Sequence, residues 1–475
     1  MNSQSAELSR ISKLFVDRDQ TASAEALNRR RRFAVNLLCG PDVRHSYTLQ
    51  LALLTAANVA QRCFPGAVAV SLEPDVANAP LLVWPSLNQS LGSALLSLVG
   101  QEAFTSSGRR LLGHAVVFGD GTAPPGSLRA TFDGWIAKVG PAHATPPLPQ
   151  REYCSLAGVL AGSLAIAELF FAFADINIAA ARRTVALSLW RPDADVNTQE
   201  AIGVPVQFLP RDLWMLGLGH LGNAYLWSLA TLPFQNPGEA EIYLNDFDKV
   251  EGPNLETGLL FTRGSVRRYK TRICAAWLET RGFQTRMIER PFDEHFRCRA
   301  TEPKLALCGF DSNPPRRDLA TAGFTRVIES GLGGTAGNFD TIALHTLPNS
   351  RQPEELWPDL SSDEEARILA EQERVARENP GYRAVADNEC GRYEVAGKSV
   401  AVPFVGAVAS TLVLAEALRV FHQGPAYQDL KLSLSGINTR FIQPIRSYNS
   451  RDFVGVSYCD ARCLHAAAGN HVSGE

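Results

Sequence analysis

The sequence carries no excess of either charge: 46 basic residues stand against 49 acidic ones, a net charge of -3. That balance gives no electrostatic reason for nucleic acid or an anionic membrane as the main partner, and neither is expected. No secretory leader is expected either, since MNSQSAELSRISKLF has no long apolar core and no cleavage-site pattern. Cysteine is sparse and odd in number, nine in 475 residues. This composition fits free thiols in a reducing compartment, and the cytoplasm is the expected location. The closest pair, Cys459 and Cys463, has no second pair to complete four zinc ligands, so no structural zinc is expected. One apolar run, residues 155–174, is long enough to span a bilayer. It lacks a flanking Lys/Arg cluster, and its many small residues and single acid, Glu168, suit a buried core helix instead.

What the chain does contain centres on Trp214 to Gly222. A short apolar run enters Gly217-Leu218-Gly219-His220-Leu221-Gly222, and a helix-like segment follows. In a phosphate-binding turn, the first glycine allows the tight bend and the second lets phosphate oxygens approach the backbone. The third lets helix and strand pack closely, and the helix start supplies N–H donors. A strand–helix turn without a ligand satisfies the same pattern, so the neighbouring residues must decide. Asp246 closes the next strand-like run, 24 residues past Gly222 (246 − 222), where a ribose hydroxyl is held. An NAD site would place an acid there equally well. Asp248, Asn254 and Lys270 follow. Around a triphosphate, the Asn and Lys would offset charge as pyrophosphate leaves, whereas Lys270 alone reads as a surface lysine. A third run, Lys304 to Cys308, leads to Asp311. This carboxylate either holds Mg²⁺ against phosphates or caps the next helix.

The same scheme occurs earlier without the glycines. Phe33–Leu38 and Ala67–Leu72 are strand-like, with a helix-like segment Ser46–Gln61 between them. Further strands are expected at Leu81–Trp84 and Ala115–Phe118, a turn-rich stretch at 119–149, and a connecting strand and linker at 182–208. Tyr47 corresponds to Tyr225 at an offset of 178 (225 − 47), and Gly158 and Glu168 correspond to Gly406 and Glu416 at 248 (406 − 158). The later copy therefore carries 70 more residues between these landmarks (248 − 178). Chance likeness of Ala- and Leu-rich helices is the alternative. The expected fold is α/β: two Rossmann-like halves, the first degenerate and the second holding the nucleotide site. The division is 1–200, 201–440 with an inserted segment 346–400, and a tail 441–475. Within the insertion, Cys390 sits in the polar loop Asp387–Gly391, ahead of the apolar run Val400–Gly406. Its thiolate could attack an activated acyl group if the loop moves, although Asp387 and Glu389 work against ionisation. An incidental thiol is the other reading. Arg29 to Arg32 reads as a solvated helix face.

Asp246-x-Asp248-x-Val250, Asn254-Leu255 and Lys270 resemble the ThiF/MoeB and ubiquitin-activating enzyme superfamily. Its pattern runs D-x-D-x-V-x-x-x-N-L, with a lysine 24 positions after the first acid (270 − 246). The resemblance covers roughly 210–345 and 398–420, and implies two ThiF-type halves. By this resemblance Gly217, Gly219 and Gly222 form the phosphate loop, Asp246 holds the ribose, Lys270 the phosphates and Asp311 the Mg²⁺, with Asp248 and Asn254 completing the ATP site. Cys390-Gly391 followed by AVPFVGA is similar to bacterial members that form thioesters. The implied activity is ATP-dependent adenylation of a ubiquitin-like protein ending in glycine, then thioester formation on Cys390 and transfer to a conjugating enzyme. Such enzymes belong to bacterial (Bil-type) conjugation operons, some linked to antiphage defence. The family's dimer could form between two chains or be mimicked by the two halves. A sulfur-carrier adenylyltransferase without an enzyme thioester, and a non-catalytic or NAD-binding Rossmann protein, are the alternatives. The chain departs from the family's N-L-x-R-Q by placing Thr257-Gly258 where Arg-Gln is usual, and Arg267 replaces the glycine before the lysine. Arg263, Arg267, Arg268 or the run Arg29–Arg32 could supply the missing cation.

Overall fold

The computed structural model describes residues 9–101, 104–105, 113–383, 392, 395–445 and 454–464. The chain is α/β, and its strands fall into two large sheets. β1 (Val35–Cys39), β2 (Val68–Ser71), β3 (Phe104–Thr105), β4 (His114–Phe118), β5 (Leu128–Asp133), β6 (Ile136–Pro141) and β7 (Val185–Ser188) make the first, in the order β3-β2-β1-β4-β5-β6-β7. The short β8 (Phe208–Pro210) comes next. The second sheet takes β9 (Asp212–Leu216), β10 (Glu241–Asn245), β11 (Gln284–Ile288), β12 (Leu305–Cys308), β13 (Arg326–Leu332), β14 (Thr341–Leu347), β15 (Tyr427–Ser433) and β16 (Arg440–Pro444). Their order is β11-β10-β9-β12-β13-β14-β15-β16. β17 (Tyr458–Asp460) pairs antiparallel with β8. The pairing scheme recurs: β1 lies parallel between β2 and β4, and β9 lies parallel between β10 and β12. At both central strands the order reverses, which opens a crevice beyond their carboxyl ends.

Two pairs of helices hold the sheets together. Helix Tyr47–Cys63, capped by Ser46 whose hydroxyl accepts from the Leu49 N–H, packs against Leu156–Phe173. Gly158 and Gly162 set that approach, since a Cβ on either would stand 2.3 Å from the carbonyl oxygen of Thr48 or Ala52. Helix His220–Ala230 packs in the same way against Pro403–Phe421, and Phe404 of that helix meets Phe170 and Phe171 with ring centroids 5.4 and 5.5 Å apart. Leu156–Phe173 and Pro403–Phe421 are long and apolar enough to cross a membrane, yet their apolar windows are 89% and 94% buried inside the fold. Each holds one buried acid in an ion pair: Glu168 with Arg183 at 2.7 Å, and Glu416 with Arg326 at 2.9 Å and with Arg419. Removing one partner of such a pair costs about 3–5 kcal/mol.

Three expectations need correction. Leu81–Trp84 is a buried loop, because Pro80 and Pro85 flank it and prolines have no N–H to extend a ladder. Its Trp84 ring instead packs edge-on against Trp227 and Trp277. The turn-rich stretch 119–149 contains the β5–β6 hairpin, which bends at Gly134 with φ +63°. Arg30 is no solvated residue. It is fully buried, donating to the Cys63 and Arg62 carbonyls and pairing with Glu256 at 3.0 Å.

Candidate nucleotide site

β9 is followed by Gly217, whose φ of +77° only glycine adopts at low cost. A Cβ on Gly222 would lie 1.9 Å from the Gly217 carbonyl oxygen, so no side chain fits there. At Gly219 the same test meets nothing within 4 Å: that face of the turn is open. Gly219 is the N-cap of helix His220–Ala230 and no side chain caps it, so the first-turn N–H groups keep their capacity to bind an anion. Asn223, absent from the sequence reading, welds the turn from behind. Its amide donates to the Leu218 and Gly219 carbonyls at 2.8 and 3.1 Å, while its oxygen accepts from Leu260 N–H.

Asp246 lies at the carboxyl end of β10, nearly buried. Its two oxygens accept from the Leu218 N–H at 2.7 Å and the Asp248 N–H at 2.8 Å, which ties the glycine turn to the second strand. Burial raises its pKa, with the Lys270 ammonium opposing. Lys270 is buried as well, 2.8 Å from Asp248 and 3.8 Å from Asp246, so the surface-lysine reading falls. Asp311 is exposed just beyond β12. It is not a cap, because Ser312 occupies the N-cap position of helix Asn313–Asp318. Asn254 accepts from Glu251 N–H at 2.9 Å. Gly217, Gly219, Asp246, Asp248, Asn254, Lys270 and Asp311 all line one cavity of about 440 Å³, and Gly222 lies beneath its floor.

Arg10, Arg316 and His220 are among the further residues that line that cavity. Arg10 comes from helix Arg10–Asp19 and donates to the Ser399 carbonyl at 3.1 Å. Burial lowers its pKa, with Glu251 and Asp311 opposing from a distance. Arg316 spans from Glu329 (2.9 Å) to the Phe310 carbonyl (2.5 Å). His220 has a buried Nε2 without a hydrogen-bond partner among the described residues. Burial pushes its pKa down to about 4, and Arg10 adds to that, while the Pro403 backbone works the other way. Arg263, Arg267, Arg268 and Arg29–Arg32 do not line the cavity. The glycine spacing, the strand-end acids and the spacing of Asn254 and Lys270 gave a sequence signal. Arg10 and Arg316 are ordinary arginines until the fold places them.

A donor set for magnesium is present in part. No group of three His, Cys, Asp or Glu side chains could hold a metal among the described residues. An exposed carboxylate beside a phosphate cradle is nonetheless what Mg²⁺ uses together with phosphate oxygens, and Asp311 fits that use. Cys390 lies outside the described residues. Of the eight described cysteines none lines the cavity. Burial is the main force raising the thiol pKa of seven of them, with Cys39 and Cys154 pushed up to about 12 and Cys459 to about 11.

Comparison with known proteins places this chain. The N-terminal domain model of the BilD family matches residues 34–189, and its C-terminal domain model matches residues 209–424. The bacterial E1-like protein BilD of Collimonas sp. (strain OK412) is 34% identical over 428 residues, covering 89% of this chain and 90% of that one. The chain belongs to the BilD family of bacterial E1-like proteins. Both BilD domain matches bracket the geometry above: the first takes in β1 to β7, and the second runs from ahead of β9, through the glycine turn, to helix Pro403–Phe421. Among solved structures, E. coli MccB with ATP is similar at a TM-score of 0.34 and 16% identity, over 49% of this chain and 63% of that one. The match thus spans less than two thirds of MccB. E. coli tRNA N6-threonylcarbamoyladenosine dehydratase, TcdA, gives a TM-score of 0.30 and 15% identity, over 45% and 86%.

Proposed function

We propose that the protein adenylates the C-terminal glycine of a ubiquitin-like protein, holds the acyl group as a thioester on Cys390, and passes it to a conjugating enzyme. The observation that carries this reading is the convergence of an uncapped helix start, Asp246, Lys270, Arg10 and Asp311 on one cavity. In the first step a carboxylate oxygen of the modifier bonds to the α-phosphorus of ATP, and pyrophosphate leaves. The Cys390 thiolate then attacks the acyl carbon, and AMP leaves. The helix N–H groups and Lys270 offset charge on the phosphates, and Asp246 accepts from the ribose. Mg²⁺, held by Asp311 and phosphate oxygens, would neutralise the leaving pyrophosphate. Residues 399–401, which follow the Cys390 segment, line the same cavity, so the segment rejoins the fold beside the site.

Arg10 takes the place of the cation missing at Thr257. Thr257 lines the cavity without charge, while its neighbour Glu256 holds Arg30 and accepts from the Ser9 hydroxyl, which caps the Arg10 helix. The loop that lacks the family arginine thus anchors the helix that brings another. Since that helix belongs to the first part of the chain, the two halves of one chain act as the subunits of the family's dimer.

The first half is degenerate on the same reading. At the offset of 178, Gly217, Gly219 and Gly222 become Cys39, Pro41 and Arg44 (217 − 178, 219 − 178, 222 − 178). The Asp42 carboxylate fills the hollow, so close that a Cβ on Gly119 would stand 2.2 Å from its Oδ1. A phosphate would meet an anion there. We assign the protein to the cytoplasm and to bacterial antiphage conjugation.

The test is pyrophosphate–ATP exchange with the cognate ubiquitin-like protein. Exchange that depends on this partner and is lost in Asp311→Ala supports adenylation, and no exchange with it defeats the proposal. A thiol-sensitive adduct absent from Cys390→Ala supports the thioester. An adduct that persists there assigns the nucleophile elsewhere, and exchange with no adduct favours the sulfur-carrier type.

A further inference from the structure

We infer that Glu329, with His345, holds Arg316 as a positioning residue for Asp311; this rests on the adenylation reading of the same cavity. Glu329 on β13 is fully buried. Its Oε1 lies 2.9 Å from Arg316 Nε, and its Oε2 lies 2.9 Å from His345 Nδ1. Glu329 and His345 are directly opposed in the β13–β14 ladder, so the sheet register fixes the second contact. The His345 ring is held in turn, edge-on to Trp357 at 5.6 Å. Arg316 uses its far arm to donate from Nη2 to the Phe310 carbonyl at 2.5 Å. That carbonyl belongs to the peptide joining Phe310 to Asp311. The guanidinium lies flat over Gly331, where a Cβ would come within 3.2 Å of Nη2.

The chemistry favours a positioning role over a stabilising one. Replacing a buried ion pair by apolar side chains is often neutral for stability, so stability alone does not call for one here. What this pair adds is direction. An ion pair to Glu329 at one end and a hydrogen bond to the Phe310 carbonyl at the other orient the guanidinium, which spans from β13 to the turn that carries the metal-binding carboxylate. Groups that orient a metal-binding residue typically change metal affinity by about 10- to 100-fold. Arg316 also lines the cavity, so the same fork closes one wall of the nucleotide site.

The experiment uses the full chain, a non-hydrolysable ATP analogue and Mn²⁺ as a paramagnetic probe read by electron spin resonance. Glu329→Gln and Arg316→Lys are expected to weaken Mn²⁺ binding to the nucleotide complex by about 10-fold or more. In Glu329→Gln, whose replaced side chain does not line the cavity, analogue binding without metal should change less than about twofold, and Asp311→Ala should lose the Mn²⁺ site. Arg316→Lys keeps a charge beside Glu329 and so guards against a misfolded Glu329→Gln. His345→Gln, which can still donate to Glu329, should retain most of the affinity. Wild-type Mn²⁺ affinity in a folded Glu329→Gln or Arg316→Lys variant overturns the inference alone. A wild-type protein that binds neither the analogue nor Mn²⁺ overturns the adenylation reading instead.

Discussion

Replacing Gly406 by alanine should be costly because of His220, and removing His220 should cancel the cost. The new Cβ would lie 2.5 Å from His220 Nε2 and 2.7 Å from Cδ2. Both distances are about 1 Å inside the separation at which heavy atoms attract. Helix Pro403–Phe421 is buried along almost all its length and cannot retreat, so the ring must move. The ring lines the nucleotide cavity and has that space to enter. Overpacking of this kind costs about 1–3 kcal/mol. Urea unfolding of wild type, Gly406→Ala, His220→Ala and the double variant would measure it. The expected coupling is nearly the whole penalty: Gly406→Ala destabilises by about 1–3 kcal/mol with His220 present and by about 0.5 kcal/mol or less without it. ATP affinity should fall in Gly406→Ala as the displaced ring occupies the phosphate side of the cavity. An equal penalty in both backgrounds would refute the packing argument.

The same histidine predicts an acid response. Its folded pKa of about 4 lies below the ordinary 6.5, so the unfolded chain takes up the proton first. Stability is therefore unaffected by this group above pH 6.5 and falls between 6.5 and about 4, by up to about 3 kcal/mol. Unfolding midpoints across that range should lose this part of their slope in His220→Ala, and an unchanged slope would count against its burial as a neutral ring. Arg10→Ala should weaken ATP binding by about 1.5–3 kcal/mol, roughly 10- to 150-fold, as expected for lost hydrogen bonds to a charged group. Calorimetric titration reads the loss, Arg10→Lys should recover part of it, and undiminished affinity would remove Arg10 from the site. Glu416→Gln leaves Arg326 and Arg419 buried without their carboxylate, and thermal unfolding should show a loss of about 3–5 kcal/mol; a shift under about 1 kcal/mol would show the arginines satisfied by carbonyls alone.

The sequence was legible where structure depends on near neighbours. β1, helix Tyr47–Cys63, β2 and β9 follow from alternating or continuous apolar runs bounded by Ser46, Gly217 and similar signals. Of the cavity residues announced by spacing, Gly217, Asp246, Asp248 and Asp311 follow strand ends, while Asn254 and Lys270 begin helices, and the topology brings them together. Strands of the antiparallel flank were harder. β14 pairs with β15 only after the chain has passed through helix Ser362–Glu378, and nothing local marks that return.

Cations were the least legible feature, for a reason visible in Arg10 and Arg30. Four arginines in a row, Arg29 to Arg32, suggested either a solvated face or a reach into the site. Burial on a helix follows direction as well as composition. Arg30 points inward and is consumed by two carbonyls and Glu256, which stands 226 positions away. Arg29 lies over Phe15 and Phe173. Arg10, a single arginine with no motif around it, reaches the cavity and bonds Ser399, 389 positions along the chain. Its placement depends on the Ser9 cap, on Glu256 holding that cap, and on Lys13 and Asp17 clasping the Tyr382 hydroxyl at the other end of the helix. The links through Glu256 and Tyr382 join segments that sequence separates by hundreds of residues. A charge in a run is common, and its count says little about position. An isolated arginine on a capped helix pinned at both ends beside a glycine turn is positioned by the fold, and the proposed role rests on that position.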